Sequence, residues 1–166
     1  MRVLGNVAEE RLDALADVAA AALADVGAVV GGRDDAPAIK GGVVVLAFAK
    51  PYDYSAFWEN VLGSERPKGV VHGSGVSGDV VYAALVAPDT ASPADRTEAR
   101  AILVEELGAA AFLARGAPPW FASAAGRAMA LRAVPKSALA RGARAEAFER
   151  LGRLRRPASV VEGQAG

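Results

Sequence analysis

Residues 101–130 read AILVEELGAAAFLARGAPPWFASAAGRAMA, and the fold turns on how this stretch is taken. Apolar residues recur at helical spacing. Ile102, Glu106, Ala109 and Leu113 share one stripe, and Leu103, Leu107, Ala110 and Ala114 share another. Upstream, Ser92-Pro93-Ala94-Asp95 supplies a capping hydroxyl, a proline at the first helical position and an acid at the third. Downstream, Gly116 and Pro118-Pro119 stop the pattern. The spacing predicts one long helix from Pro93 to Arg115 and a second starting near Pro119. The second carries Trp120, Phe121, Met129 and Leu131, and its two leading aromatics are expected in the core.

Working outward, RVLG near Arg2–Leu4 reads as a short strand. Leu12, Leu15, Ala19, Ala22, Leu23 and Val26 then give an amphipathic helix from Ala8 to about Val26, with Asn6 and Glu9 suggesting its cap and Gly27 its end. GGRDDAPAIKGG is a polar loop, and VVVLAFAK is a continuous β-branched run, so Val43–Ala49 reads as a central strand. A short helix carrying Phe57, Trp58, Val61 and Leu62 inward follows, capped by Asp53 or Ser55. Ser64–Asp79 is glycine-rich loop, with His72 in a turn, and Val80–Ala87 is a further strand. After Pro135 comes a third, more basic helix. The basic run that it begins, Arg141, Arg144, Arg150, Arg153, Arg155 and Arg156, is interrupted by Glu146 and Glu149, which makes a solvated face. The expected architecture is α+β: a small mixed β-sheet packed against three or more helices, in a single domain over 1–154 with a flexible tail over 155–166.

Composition narrows the function more than it names it. The chain has 166 residues with 52% apolar content, enough for a core, and its 19 basic and 19 acidic residues cancel. That balance gives no field to draw nucleic acid or an acidic membrane surface. Cysteine is absent, which removes disulfides and thiolate chemistry. The first apolar stretch, Val18–Val30, follows Glu9, Glu10, Asp13 and Asp17 and contains Asp25, a poor match to a signal peptide, and no run suggests a membrane span. The bias to Ala, Gly, Val and Arg is that of a GC-rich genome.

Candidate chemistry is sparse. His72 is the sole histidine, so a zinc site of the HExxH type, which needs two imidazoles one helical turn apart, is not available. The glycines around His72 lack both the GxxxxGK[ST] and GxGxxG phosphate-binding orders. Ser74, Ser77 and Ser123 stand in no GxSxG elbow. Glu105 and Glu106 are adjacent on the helix and so point about 100° apart, which argues against convergence on one substrate. Glu106 is the candidate cleft carboxylate, expected to pair with Arg127 or Arg132, and Glu105 is expected in solvent.

The order strand, helix, strand, aromatic helix, strand, long helix, proline-tryptophan helix resembles the peptidase MA-like (gluzincin-type) domains, most nearly the DUF1570-type domains of planctomycete bacteria. The segments that carry the likeness are VVVLAFAKPYDYSAFW, VVYAALVAP and ILVEELGAAAFLARGAPPWFASAAGRA, spanning about Arg2 to Ala133. The resemblance implies a gluzincin metalloprotease-like fold and a place in a larger bacterial protein. It puts Glu105 at the first histidine ligand, Ala109 at the second, Ser123 at the downstream glutamate ligand and Glu106 at the general base. With the three ligand positions changed, it implies no metal and no cofactor. What remains is a degenerate HExxH site: a pseudoenzyme serving as a structural or protein-binding module, with a protein or peptide as partner. The competing expectation is a hydrolase that uses the same cleft with Glu106 as general base.

Overall fold

Ser92 and Asp95 set the start of the principal helix reciprocally. The Asp95 amide donates to Ser92 Oγ at 3.1 Å, and the Ser92 amide donates to Asp95 Oδ2 at 3.2 Å. The computed structural model, which describes residues 1–31, 39 and 41–154, has this helix over Pro93–Leu113. The nine elements, in chain order, are β1 (Arg2–Gly5), α1 (Glu9–Val30), β2 (Gly42–Phe48), α2 (Pro51–Val61), β3 (His72–Ser77), β4 (Val80–Val86), α3 (Pro93–Leu113), α4 (Pro119–Ala133) and α5 (Ala138–Leu154). The expected tail over 155–166 lies outside the described residues.

The sheet has the order β1-β2-β4-β3, with β1, β2 and β4 parallel and the edge strand β3 antiparallel to β4. The mixed α+β class expected from the sequence is therefore present. One face of the sheet carries Val43, Val45, Ala47, Val81, Ala83 and Leu85, all buried against α1 and α3. Helix α1 meets this core through Leu15, Val18, Ala19, Ala22 and Val26, the i, i+3, i+4 spacing that a single buried stripe needs. Arg100 of α3 grips Asp25 of α1 with two bonds of 2.7 Å, fixing the two helices beside each other. The opposite face receives α2, and Val44, Leu46, Val80 and Tyr82 stay half-exposed there.

Several local expectations give way to packing. Helix α1 runs through Gly27 to Val30, because Val30 still packs on the core and outweighs the roughly 1 kcal/mol that a helical glycine costs. Asn6 caps no helix. Its Oδ1 accepts from the Ala49 amide at 2.7 Å and its Nδ2 donates to Asp53 at 2.9 Å, tying the end of β1 to the β2–α2 junction. Neither Asp53 nor Ser55 caps α2, which starts on Pro51, and Val61 and Leu62 at its end are exposed instead of facing inward, because only a few residues of α2 lie against the sheet. Strand β3 falls where a loop was expected. Its residues pair with β4 through the two-residue turn Gly78-Asp79, with Gly78 at φ 60. A Gly-Asp pair is a two-residue hairpin signal, but the HGSGVS stretch before it carries little strand propensity to reinforce it.

Trp120 and Phe121 are 73% and 42% exposed, not core. Helix α4 buries Ala122, Gly126, Met129 and Ala130 instead. At about 100° per residue, that stripe leaves Trp120 on nearly the opposite side. The small residues win because α4 lies against α3 at a distance that only glycine and alanine permit. A Cβ on Gly126 would come 2.2 Å from the Glu105 carbonyl oxygen. Helix α5 is largely exposed, with Arg150 bonded to Glu146 at 2.6 Å, as a solvated face requires. No helix among the described residues is long and apolar enough to cross a membrane.

Candidate functional site

Between α3, the first turns of α4 and the start of β3 lies a cavity of ≈ 300 Å³. Its lining brings together Glu105, Glu106, Ala109 and Ser123 with His72, and its walls include Trp58 and Leu113. Three elements make this possible. Helix α3 forms the floor and presents successive residues toward both flanks. Helix α4 is pressed onto α3 through Gly126 and Gly108, which brings Ser123 to one side. Strand β3 brings His72 to the other, on the same sheet face as its register partner Leu85.

The central contact is His72 Nδ1–H donating to Glu106 Oε1 at 2.6 Å, with the two side chains 30% and 12% exposed. It corrects two expectations. Glu106 pairs with the imidazole, not with Arg127 or Arg132, and His72 opens a strand instead of sitting in a free turn. The bond to Glu106 raises the His72 pKa above its ordinary value; burial opposes this, and the Glu105 and Glu106 charges reinforce it. The contact therefore favours the protonated imidazole. No hydrogen bond to His72 Nε2 is found among the described residues.

Glu105 also departs from expectation. It is half-buried and lines the same cavity as Glu106. The roughly 100° between adjacent helical residues does not separate the two carboxylates into cleft and solvent, because the cleft itself is that wide. Burial raises the Glu105 pKa, the Glu106 charge adds to this, and Arg127 and His72 pull it back. Among the described residues its carboxylate makes no hydrogen bond or ion pair.

Behind the strand, on the α2 side, Tyr54 is fully buried and its hydroxyl has no hydrogen-bond partner; nor has the Trp58 indole N–H. The indole lies near enough to favour the phenolate slightly, but burial dominates and raises the Tyr54 pKa. A Cβ on Gly73 would stand 3.2 Å from the Tyr54 hydroxyl and 3.6 Å from the Trp58 ring, so the glycine lets both aromatics close on the strand. Sequence reading missed this grouping, because Tyr54, Trp58 and Gly73 share no spacing that announces it.

No group of three His, Cys, Asp or Glu side chains that would hold a metal exists among the described residues. Glu105, Ala109 and Ser123 border one cavity. No family profile, curated protein or solved structure matches this chain.

The pair makes stability depend on pH in a definite direction. His72 has a raised folded-state pKa, so its contribution is complete below the unfolded value and is lost as the pH climbs through the folded one. Glu105, also raised, contributes in the same direction at lower pH, where its neutral form is favoured by burial. Urea midpoints should therefore be lower at about pH 9 than at about pH 6, and His72→Gln should flatten that difference. An unchanged parent midpoint would contradict the pair.

Proposed function

We propose that this chain is a metal-free, peptidase MA-like (gluzincin-type) domain, kept as a structural or protein-binding module whose former catalytic cleft persists as a recognition pocket. The observation that carries the reading is the gathering of Glu105, Glu106, Ala109 and Ser123 around one cavity. The likeness to the peptidases assigns all four positions to one site, and Ser123 reaches it from a different helix than the other three. The helix α3 across a mixed sheet, with α4 packed tightly on it, agrees with the same likeness. Small or unpaired residues at the ligand positions suit a cleft without metal: alanine and serine leave no unmetallated imidazoles to desolvate.

The second reading is a hydrolase with Glu106 as general base, and it draws on the polar lining of the pocket. A base must reach the proton it takes, within roughly 2.6–3.2 Å or through one water. Here the Glu106 oxygen already accepts from His72 at 2.6 Å, which weakens that role. Two measurements divide the readings. Purified protein should carry no stoichiometric zinc by elemental analysis, and Glu106→Gln should leave any background hydrolysis of peptide and ester substrates unchanged. Stoichiometric zinc overturns the metal-free reading. Hydrolysis abolished by Glu106→Gln establishes the hydrolase.

A further inference from the structure

Among the described residues lining the cavity, Glu105 is the charged side chain that closes no hydrogen bond or ion pair, although the His72 charge acts on it from nearby. His72 and Glu106 answer each other at 2.6 Å, whereas the Glu105 carboxylate, half-buried beside them, has no hydrogen bond or ion pair among the described residues. Arg127 acts on it from the exposed side of α4 without closing a bond. A carboxylate held partly out of water with no partner is costly unless a ligand supplies one. The rest of the cavity is suited to what such a ligand would bring. Trp58, Val70, Leu113 and Pro119 form apolar walls, and Ser123 offers a hydroxyl near the mouth. The cavity, ≈ 300 Å³, falls at the small end of ligand-site sizes.

We propose that this cavity binds a primary alkylammonium group, with the cation on Glu105 and its aliphatic stem against Trp58 and Leu113. The ammonium gives the buried carboxylate a charge-assisted hydrogen bond, and the indole face favours a nearby cation. Burial's upward pull on the Glu105 pKa is what an incoming cation would reverse. A guanidinium fits less well, since its planar fork asks for a bidentate carboxylate with open space around it. The same chemistry comes from two sources, a lysine side chain in a polypeptide or a free alkylamine. The inference rests on the reading of the cleft as a recognition pocket.

The test follows the Trp58 indole N–H resonance of the full chain during titration with three probes. These are n-butylammonium chloride, a short capped peptide with one lysine, and the same peptide with norleucine in its place. The lysine peptide or butylammonium should give a saturable shift, and norleucine should bind at least about tenfold more weakly. Tighter binding by the peptide identifies a polypeptide source, and equal binding identifies a free amine. Glu105→Gln should lower affinity about tenfold while the protein melts no lower than the parent, and Glu146→Gln, away from the cavity, should leave affinity unchanged. Equal binding of norleucine, or an equal loss in both variants, overturns the ammonium assignment and leaves the recognition pocket standing. The absence of any saturable shift counts against both.

Discussion

Glu105→His, Ala109→His and Ser123→Glu, combined in one chain, should create a zinc site that the parent's described residues do not form. The three positions border a single cavity, and two of them are one helical turn apart on α3. Two imidazoles at that spacing and a carboxylate from the neighbouring helix supply the ligand types and count that zinc takes, with water completing the tetrahedron. The parent offers the metal only carboxylates and one histidine already bonded to Glu106, and its described residues contain no group able to hold an ion. The triple variant should thus bind zinc about 100-fold or more tightly than the parent, read by titration against a competing chelator. Ala109 is the demanding position. It is 6% exposed and packed beside Gly126, so its new imidazole has room only toward the cavity. Glu106 is already beside the site, but its bond to His72 would have to open before it could act on a metal-bound water. Hydrolysis also needs partners that orient the imidazoles, so binding is the sharper readout. Equal, weak binding by variant and parent would show that the register, and with it the peptidase likeness, is mistaken.

Gly126→Ala should be strongly damaging for the addition of a single methyl group. Its Cβ would stand 2.2 Å from the Glu105 carbonyl oxygen and 2.7 Å from the Ala109 amide nitrogen. Both atoms belong to the backbone of α3 and cannot turn aside as a side chain would. The helices must separate, opening the contact that also forms one wall of the cavity. Overpacking usually costs 1–3 kcal/mol, and with rigid atoms on both sides a loss of about 3 kcal/mol is expected. For a chain of this size that lowers the melting temperature by about 6–12 °C. Gly108→Ala should be milder, because its Cβ meets Met129 Sδ and Cε at 3.2 Å, the end of a flexible chain, along with Gly126 Cα at 3.1 Å. Gly27→Ala supplies the control. A Cβ there meets nothing within 4 Å, so the variant should gain up to about 1 kcal/mol from helix propensity. Thermal melts of the three variants decide the matter, and a Gly126→Ala protein as stable as the parent would refute the close crossing.

The sequence by itself determined the elements whose causes are local. Ser92, Pro93 and Asp95 start α3 through atoms within one turn of each other, and Pro118-Pro119 separates it from α4. The unbroken apolar run of β2 likewise announces a central strand, here paired on both sides with parallel neighbours. Those signals lie within a few residues and survive whatever the rest of the chain does. The site depended on contacts between distant parts of the chain. His72 and Glu106 are 34 residues apart, and they meet because β3 pairs with β4 across the Gly78-Asp79 turn while α3 returns over the same edge. Glycines at 73 and 75 conceal that strand from propensity, since its stability comes from Tyr54 and Tyr82 lying over the bare backbone. Helix arithmetic gave the angle between Glu105 and Glu106 correctly, yet only the tertiary structure decided that one cleft would be wide enough to hold both. The same holds for Trp120. Periodicity admits more than one inward face for a helix as rich in alanine as α4, and the close approach to α3 selected the face with glycine on it, turning the aromatics out.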